Sequence, residues 1–255
     1  FSTNSYTRGN PMKKTKRIPT LAIALACAAL GPIAYAGGDA HTGGIQSAAS
    51  KKVTAPYDIV HTQITTEGNV ATFHMQVSGK AGANKPTKTG KLAGSRVFSY
   101  VWPTSLDPST VGFEAKSGIL AFAVTSHPDF NDTPLFAGGA GEWHSHWVVL
   151  QGDEACGKGA LKVVDIPEGA KPKLPKTWPG LPILIDSPGW NPVFKGGTLE
   201  VKVPFDDIGV VQAATFDGVT AGLRVNASMH NPLLCVANVF KVASGNLSLP
   251  GKVNQ

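Results

Sequence analysis

From residue 54 onward, hydrophobic positions recur in short runs rather than along a helical stripe. Val- and Ile-rich or alternating stretches occupy 57–66, 69–78, 96–102, 118–125, 144–151, 160–166, 181–186, 198–204, 219–227 and 234–243, with Gly, Pro, Asn and Asp between them. Branched side chains suit a pleated, half-buried surface, so these stretches predict strands. Their number and spacing predict an all-β protein, a single antiparallel β-sandwich or barrel-like domain over 54–255, with long Gly/Pro-rich loops and little helix. One short helical turn is expected at 204–208. Residues 37–53 are small and polar and read as a flexible lead-in. The lysine-bearing stretch 78–95 reads as a solvated loop. Residues 167–192 hold seven prolines and two tryptophans and read as a long ordered excursion.

The first two strands form a hairpin whose register the pattern predicts. A turn at Glu67-Gly68, or a longer one from Thr66 to Asn69, pairs Val60 with Met75, Thr62 with Phe73 and Ile64 with Ala71 on a core face. The opposite face then sets His61 directly across from His74.

The amino-terminal stretch has a different character. Met12-Lys13-Lys14-Thr15-Lys16-Arg17 is cationic, Leu21 through Ala34 is apolar but short for a membrane span, and Ala34-Tyr35-Ala36 places small residues at −3 and −1 of a cleavage site. Residues 12–36 therefore read as a cleavable secretory signal, with 1–11 an upstream leftover. No later apolar run is long enough to anchor the chain. This changes the charge argument. The whole chain carries 23 Lys and Arg against 17 Asp and Glu, but five of the cations and none of the acids precede residue 37. The mature protein is nearly neutral, so the basic balance that would favour nucleic-acid binding disappears. Cleavage also removes Cys27 and leaves Cys156 and Cys235, an even pair in an oxidising compartment, predicted to form a disulfide.

The candidate chemistry lies in the seven histidines. In Trp143-His144-Ser145-His146-Trp147, an extended backbone sends both imidazoles to one face and both indoles to the other. Two imidazoles at i and i+2 can converge on one ion, as strand-borne zinc and copper sites require. His127, at the end of an apolar strand, is the natural third ligand from a loop, and His61 and His74 are further candidates. His230, beside Met229, would suit copper. Asp129, Asn131 and Asp132 read as an ordinary turn, since no terminal Glu completes a calcium loop. The pattern Gly138, five residues, His144, one residue, His146 is similar to the opening of the first cupin motif, whose ligands are His, His and Glu; Gln151 stands at the place of that Glu. The resemblance implies a cupin-type metalloenzyme. In a different class of function, Trp178 and Trp190 would stack on sugars or another surface ligand if their faces were exposed.

No GxSxG, HExxH, phosphate-binding loop or dinucleotide fingerprint occurs. The leading expectation is thus an exported protein, periplasmic or extracellular, that binds a transition metal, copper or zinc first, with binding favoured over catalysis.

Overall fold

The structure, a computed structural model, describes residues 43–132, 141–228 and 232–255. Its strands are β1 (Ile45–Gln46), β2 (Ile59–Glu67), β3 (Val70–Val77), β4 (Arg96–Pro103), β5 (Ile119–Ser126), β6 (His144–Gly152), β7 (Leu161–Val163), β8 (Ile185–Asp186), β9 (Val193–Lys195), β10 (Thr198–Pro204), β11 (Thr215–Phe216), β12 (Val219–Val225), β13 (Leu234–Val242) and β14 (Gly251–Lys252). Among the described residues helix is limited to α1 (Ile208–Gln212) and short 3-10 turns at Ala55–Tyr57, Pro108–Val111 and Glu154–Cys156. Among the described residues every strand pairing is antiparallel. The protein is all-β, and it combines both architectures that the strand pattern allows.

Strands β5, β4, β12, β13, β7 and β6 are joined edge to edge in that order, and β6 pairs back with β5, so the six close into a barrel. A second sheet, β1-β2-β3-β10-β9, packs against the outside of this barrel. Alternation along the barrel strands therefore serves two cores. Tyr100, Trp102, Phe122 and Trp147 point outward to meet Phe73, Met75 and Val201 of the second sheet, with the Phe73 and Phe122 ring centroids 4.5 Å apart. Val101, Ala123, Val148, Leu150 and Ala221 point inward and line the lumen. A strand buried on both faces cannot show simple polar alternation, which is why β5 reads as a continuous apolar run.

The first hairpin departs from the expected register. Gly68 and Asn69 form the two-residue turn, with Gly68 at φ 58°, and Glu67 pairs with Val70. A glycine at the first turn position takes the positive φ that tight hairpins need, so the chain reverses one residue later than expected. The slip is two residues, so the same faces stay buried, but Ile64 now lies opposite Phe73, His74 opposite Gln63 and His61 opposite Gln76. The lead-in is also structured from residue 43: Ile45 is buried and pairs with Thr62 in β2. The helical turn begins later than expected, at Ile208, where the Asp207 side chain accepts a hydrogen bond from the Gly209 N–H at 3.1 Å and caps it.

Cys156 and Cys235 form a disulfide with Cα atoms 5.4 Å apart. Its position matters for the barrel. Strands β7 and β13 meet through a single residue pair, Lys162 opposite Cys235, which makes theirs the thinnest seam in the wall. The disulfide ties the turn before β7 to β13 at that seam. Asp165 reinforces it by accepting the Leu233 N–H at 2.8 Å and pairing with Lys162 at 2.9 Å. Among the described residues no helix is long and apolar enough to cross a membrane.

Candidate metal centre

Strand β6 opens with the His-x-His segment in extended conformation. Trp147 and Val149 enter the outer core and Trp143 packs beside them, its indole N–H donating to the Gly82 carbonyl at 3.0 Å. These anchors fix the strand's rotation, so His144 and His146 turn together toward the barrel interior. Pairing with β5 sets Thr125 opposite His144 and Ala123 opposite His146. His127, one residue beyond β5, keeps the inward phase of Ala123 and Thr125 and arrives beside His144.

The loop leaving β5 then supplies a carboxylate. His127, Asp132, His144 and His146 each offer one ligand atom, all within 4.8 Å of one another, and all four residues are buried. Asp132 Oδ1 lies 3.1 Å from His127 Nε2 and 3.2 Å from His144 Nε2, while Oδ2 lies 3.5 Å from His146 Nε2. The Nε2 atoms of His127 and His144 are 2.9 Å apart. The rings of His127 and His144 stand edge to face, as do those of His144 and His146, each pair with centroids 4.7 Å apart.

The far side of each ring determines its tautomer. His127 Nδ1 donates to the Phe130 carbonyl at 3.1 Å, His144 Nδ1 to the Glu142 carbonyl at 2.8 Å, and His146 Nδ1 to the Asp186 carbonyl at 3.2 Å and the Ser187 hydroxyl oxygen at 3.1 Å. The Ser187 hydroxyl in turn donates to the Asp132 carbonyl at 2.6 Å. Carbonyl oxygens only accept, so each Nδ1 carries the proton and each neutral ring presents its Nε2 lone pair inward. Three imidazole lone pairs and a carboxylate thus face one another inside the protein, and His146 Nε2 has no hydrogen-bond partner. The Thr125 hydroxyl lies 3.3 Å from His144 Nε2 and can donate to it; converging acceptors of this kind are costly to bury unless a donor or a cation reaches each of them, and one cation can reach all four.

The electrostatics agree. Burial, with some repulsion from His144 and His127, pushes the His146 imidazole down to about 3 despite the attraction of Asp132, so this ring stays neutral and able to bind a metal. Burial opposes ionisation of Asp132, but attraction to the surrounding imidazoles in their protonated forms, His146 first and then His127 and His144, outweighs it and holds the carboxyl well below its usual range. Nitrogen and carboxylate donors of this kind can hold a divalent metal ion.

His61 and His74 do not belong to this group. They lie in the second sheet with ring centroids 5.6 Å apart; His61 Nε2 sits 2.5 Å from the Gly43 carbonyl, and His74 Nδ1 pairs with Glu200 at 3.0 Å. Met229, His230 and Gly138 lie outside the described residues. Gln151, at the cupin glutamate's place, is exposed, and the carboxylate here comes from the preceding loop instead. Trp178 donates its N–H to the Leu181 carbonyl at 2.9 Å, Trp190 lies against Phe122 at 6.2 Å, and both residues are half-buried. Asp132 is the one member of the group that reading the sequence for ligands missed. Its loop, Pro128-Asp129-Phe130-Asn131-Asp132, has the composition of a turn, and Asp129 in it binds a distant segment instead, accepting the Thr89 and Gly90 N–H groups at 2.8 and 2.6 Å.

The fold and site together define a class: a closed β-barrel, backed by a second sheet, with a buried three-histidine, one-aspartate group at its inner wall. Comparison with protein-family models, with curated proteins and with solved structures finds no match for this chain.

Proposed function

We propose that this protein binds a transition metal ion outside the cytoplasm, through His127, Asp132, His144 and His146, with copper and zinc the first candidates. The observation that carries this reading is the inward convergence of three Nδ1-protonated imidazoles on one buried carboxylate. His146 Nε2, buried and without a hydrogen-bond partner, is the inner nitrogen that a bound metal would satisfy. Export is supported by the signal-like segment 12–36 and by the Cys156–Cys235 disulfide, which persists in oxidising compartments. Binding is favoured over catalysis, since among the described residues no second carboxylate joins the group.

The test is metal analysis of the exported protein, whose mature chain should begin at Gly37. One metal ion per chain is expected, and it should be lost in the His144→Ala/His146→Ala double variant. A folded wild-type chain that takes up no copper or zinc contradicts the reading, as does a double variant that keeps its metal.

A further inference from the structure

The metal group forms part of the wall of a much larger space. A cavity of about 420 Å³ fills the barrel lumen, and His127, Asp132 and His146 face into it. The volume falls within the roughly 300–1,000 Å³ of small-molecule sites. It exists because small side chains, Ser99, Ala123 and Ala221, stand where a packed barrel would carry large ones. The walls are otherwise almost wholly apolar, and the Ser99 hydroxyl is already committed to the Ala221 carbonyl at 3.0 Å. The lumen reaches solvent beside Val239 and Leu247, lining residues that are 51% and 42% exposed.

Charge selects the occupant. Among the described residues lining the lumen, Asp132 is the sole acid, and the sole Lys or Arg, Lys158, is exposed. A divalent ion held by Asp132 and three neutral imidazoles leaves one positive charge unbalanced against an apolar space, which is costly unless an anion joins it. The outer edges of the rings are locked to backbone and to Ser187, so an added ligand approaches from the lumen.

Building on the metal reading, we propose that the lumen binds a small apolar monoanion, an alkyl or aryl carboxylate, with its carboxylate on the metal and its hydrocarbon body along the barrel wall. No bond is made or broken in the bound molecule; the structure assigns recognition, not turnover.

The experiment uses the full mature chain loaded with cobalt(II) and titrated with butanoate, hexanoate, octanoate and 1-octanol. Octanoate should change the cobalt visible spectrum, and affinity should rise about fourfold with each added methylene until the lumen is filled. The uncharged 1-octanol should bind at least tenfold more weakly than octanoate. Ala221→Phe, which narrows the lumen from β12, a strand that carries none of the four ligands, should retain one metal per chain and lose octanoate affinity at least tenfold. A loaded protein whose spectrum ignores octanoate, or whose affinity is independent of chain length, overturns this proposal and leaves the metal reading standing. A chain that takes up no metal overturns the metal reading itself. Should Ala221→Phe fail to fold, the wild-type chain-length series and spectrum still decide the matter.

Discussion

At the candidate metal centre each imidazole is held twice, by the backbone that carries it and by the acceptor at its Nδ1. Ser187 is the most informative of these partners, because its hydroxyl links the His146 ring to the Asp132 backbone. Ser187→Ala should leave the fold intact and lower metal affinity about 10–100-fold, the usual effect of losing an outer partner of a ligand. Competition against a chromophoric chelator measures this, and an unchanged affinity would deny the link its role. The same residues set the acid response of the metal-free protein. His146 titrates near 3 in the folded state and near its ordinary value of 6.5 when unfolded, and Asp132 is likewise depressed on folding. Between those limits the unfolded chain binds more protons, so stability is full above about pH 6.5 and declines as pH falls toward 3. Thermal melts of metal-free protein across that range should show a steadily falling Tm. A flat profile would mean that His146 is not buried in its neutral form.

The barrel's weakest junction is the single pair between β7 and β13, and the Cys156–Cys235 bridge lies across it. The bridge closes a separation of 79 residues, for which the chain-entropy model gives about 4–5 kcal/mol of stabilisation. The Cys156→Ser/Cys235→Ser variant should lose stability of that order in denaturant unfolding, and a loss below about 1 kcal/mol would show that Asp165 and Lys162 hold the seam alone. At this scale much of the molecule was legible in its sequence. Long strands such as β2, β5, β6 and β10 carry enough alternation or branched apolar residues to be recognised. The strands β1, β9, β11 and β14 span only two or three residues and show no periodicity; their existence depends on neighbours distant in the chain. The hairpin faces were legible but the register was not, because Glu67-Gly68 and Gly68-Asn69 are both sound turns and differ by one residue. The His144/His146 pair follows from alternation alone. Asp132 does not, because nothing local distinguishes a turn aspartate from one that the fold brings back to a strand end.

Across the whole molecule, one set of strands performs two tasks. Their outer faces, rich in Trp, Phe and Tyr, pack against a second sheet. Their inner faces carry small and aliphatic residues that leave a lumen, with the histidine–aspartate group set into its wall. Closure of the barrel makes this possible: the return pairing of β6 with β5 brings His127 and the Asp132 loop against His144 and His146. The most direct test of the account is X-ray absorption on the zinc-loaded mature protein. Three imidazole nitrogens at about 2.0–2.1 Å and a carboxylate oxygen at about 2.0–2.2 Å are predicted. Sulfur in the first shell, or fewer than two imidazoles, would contradict it.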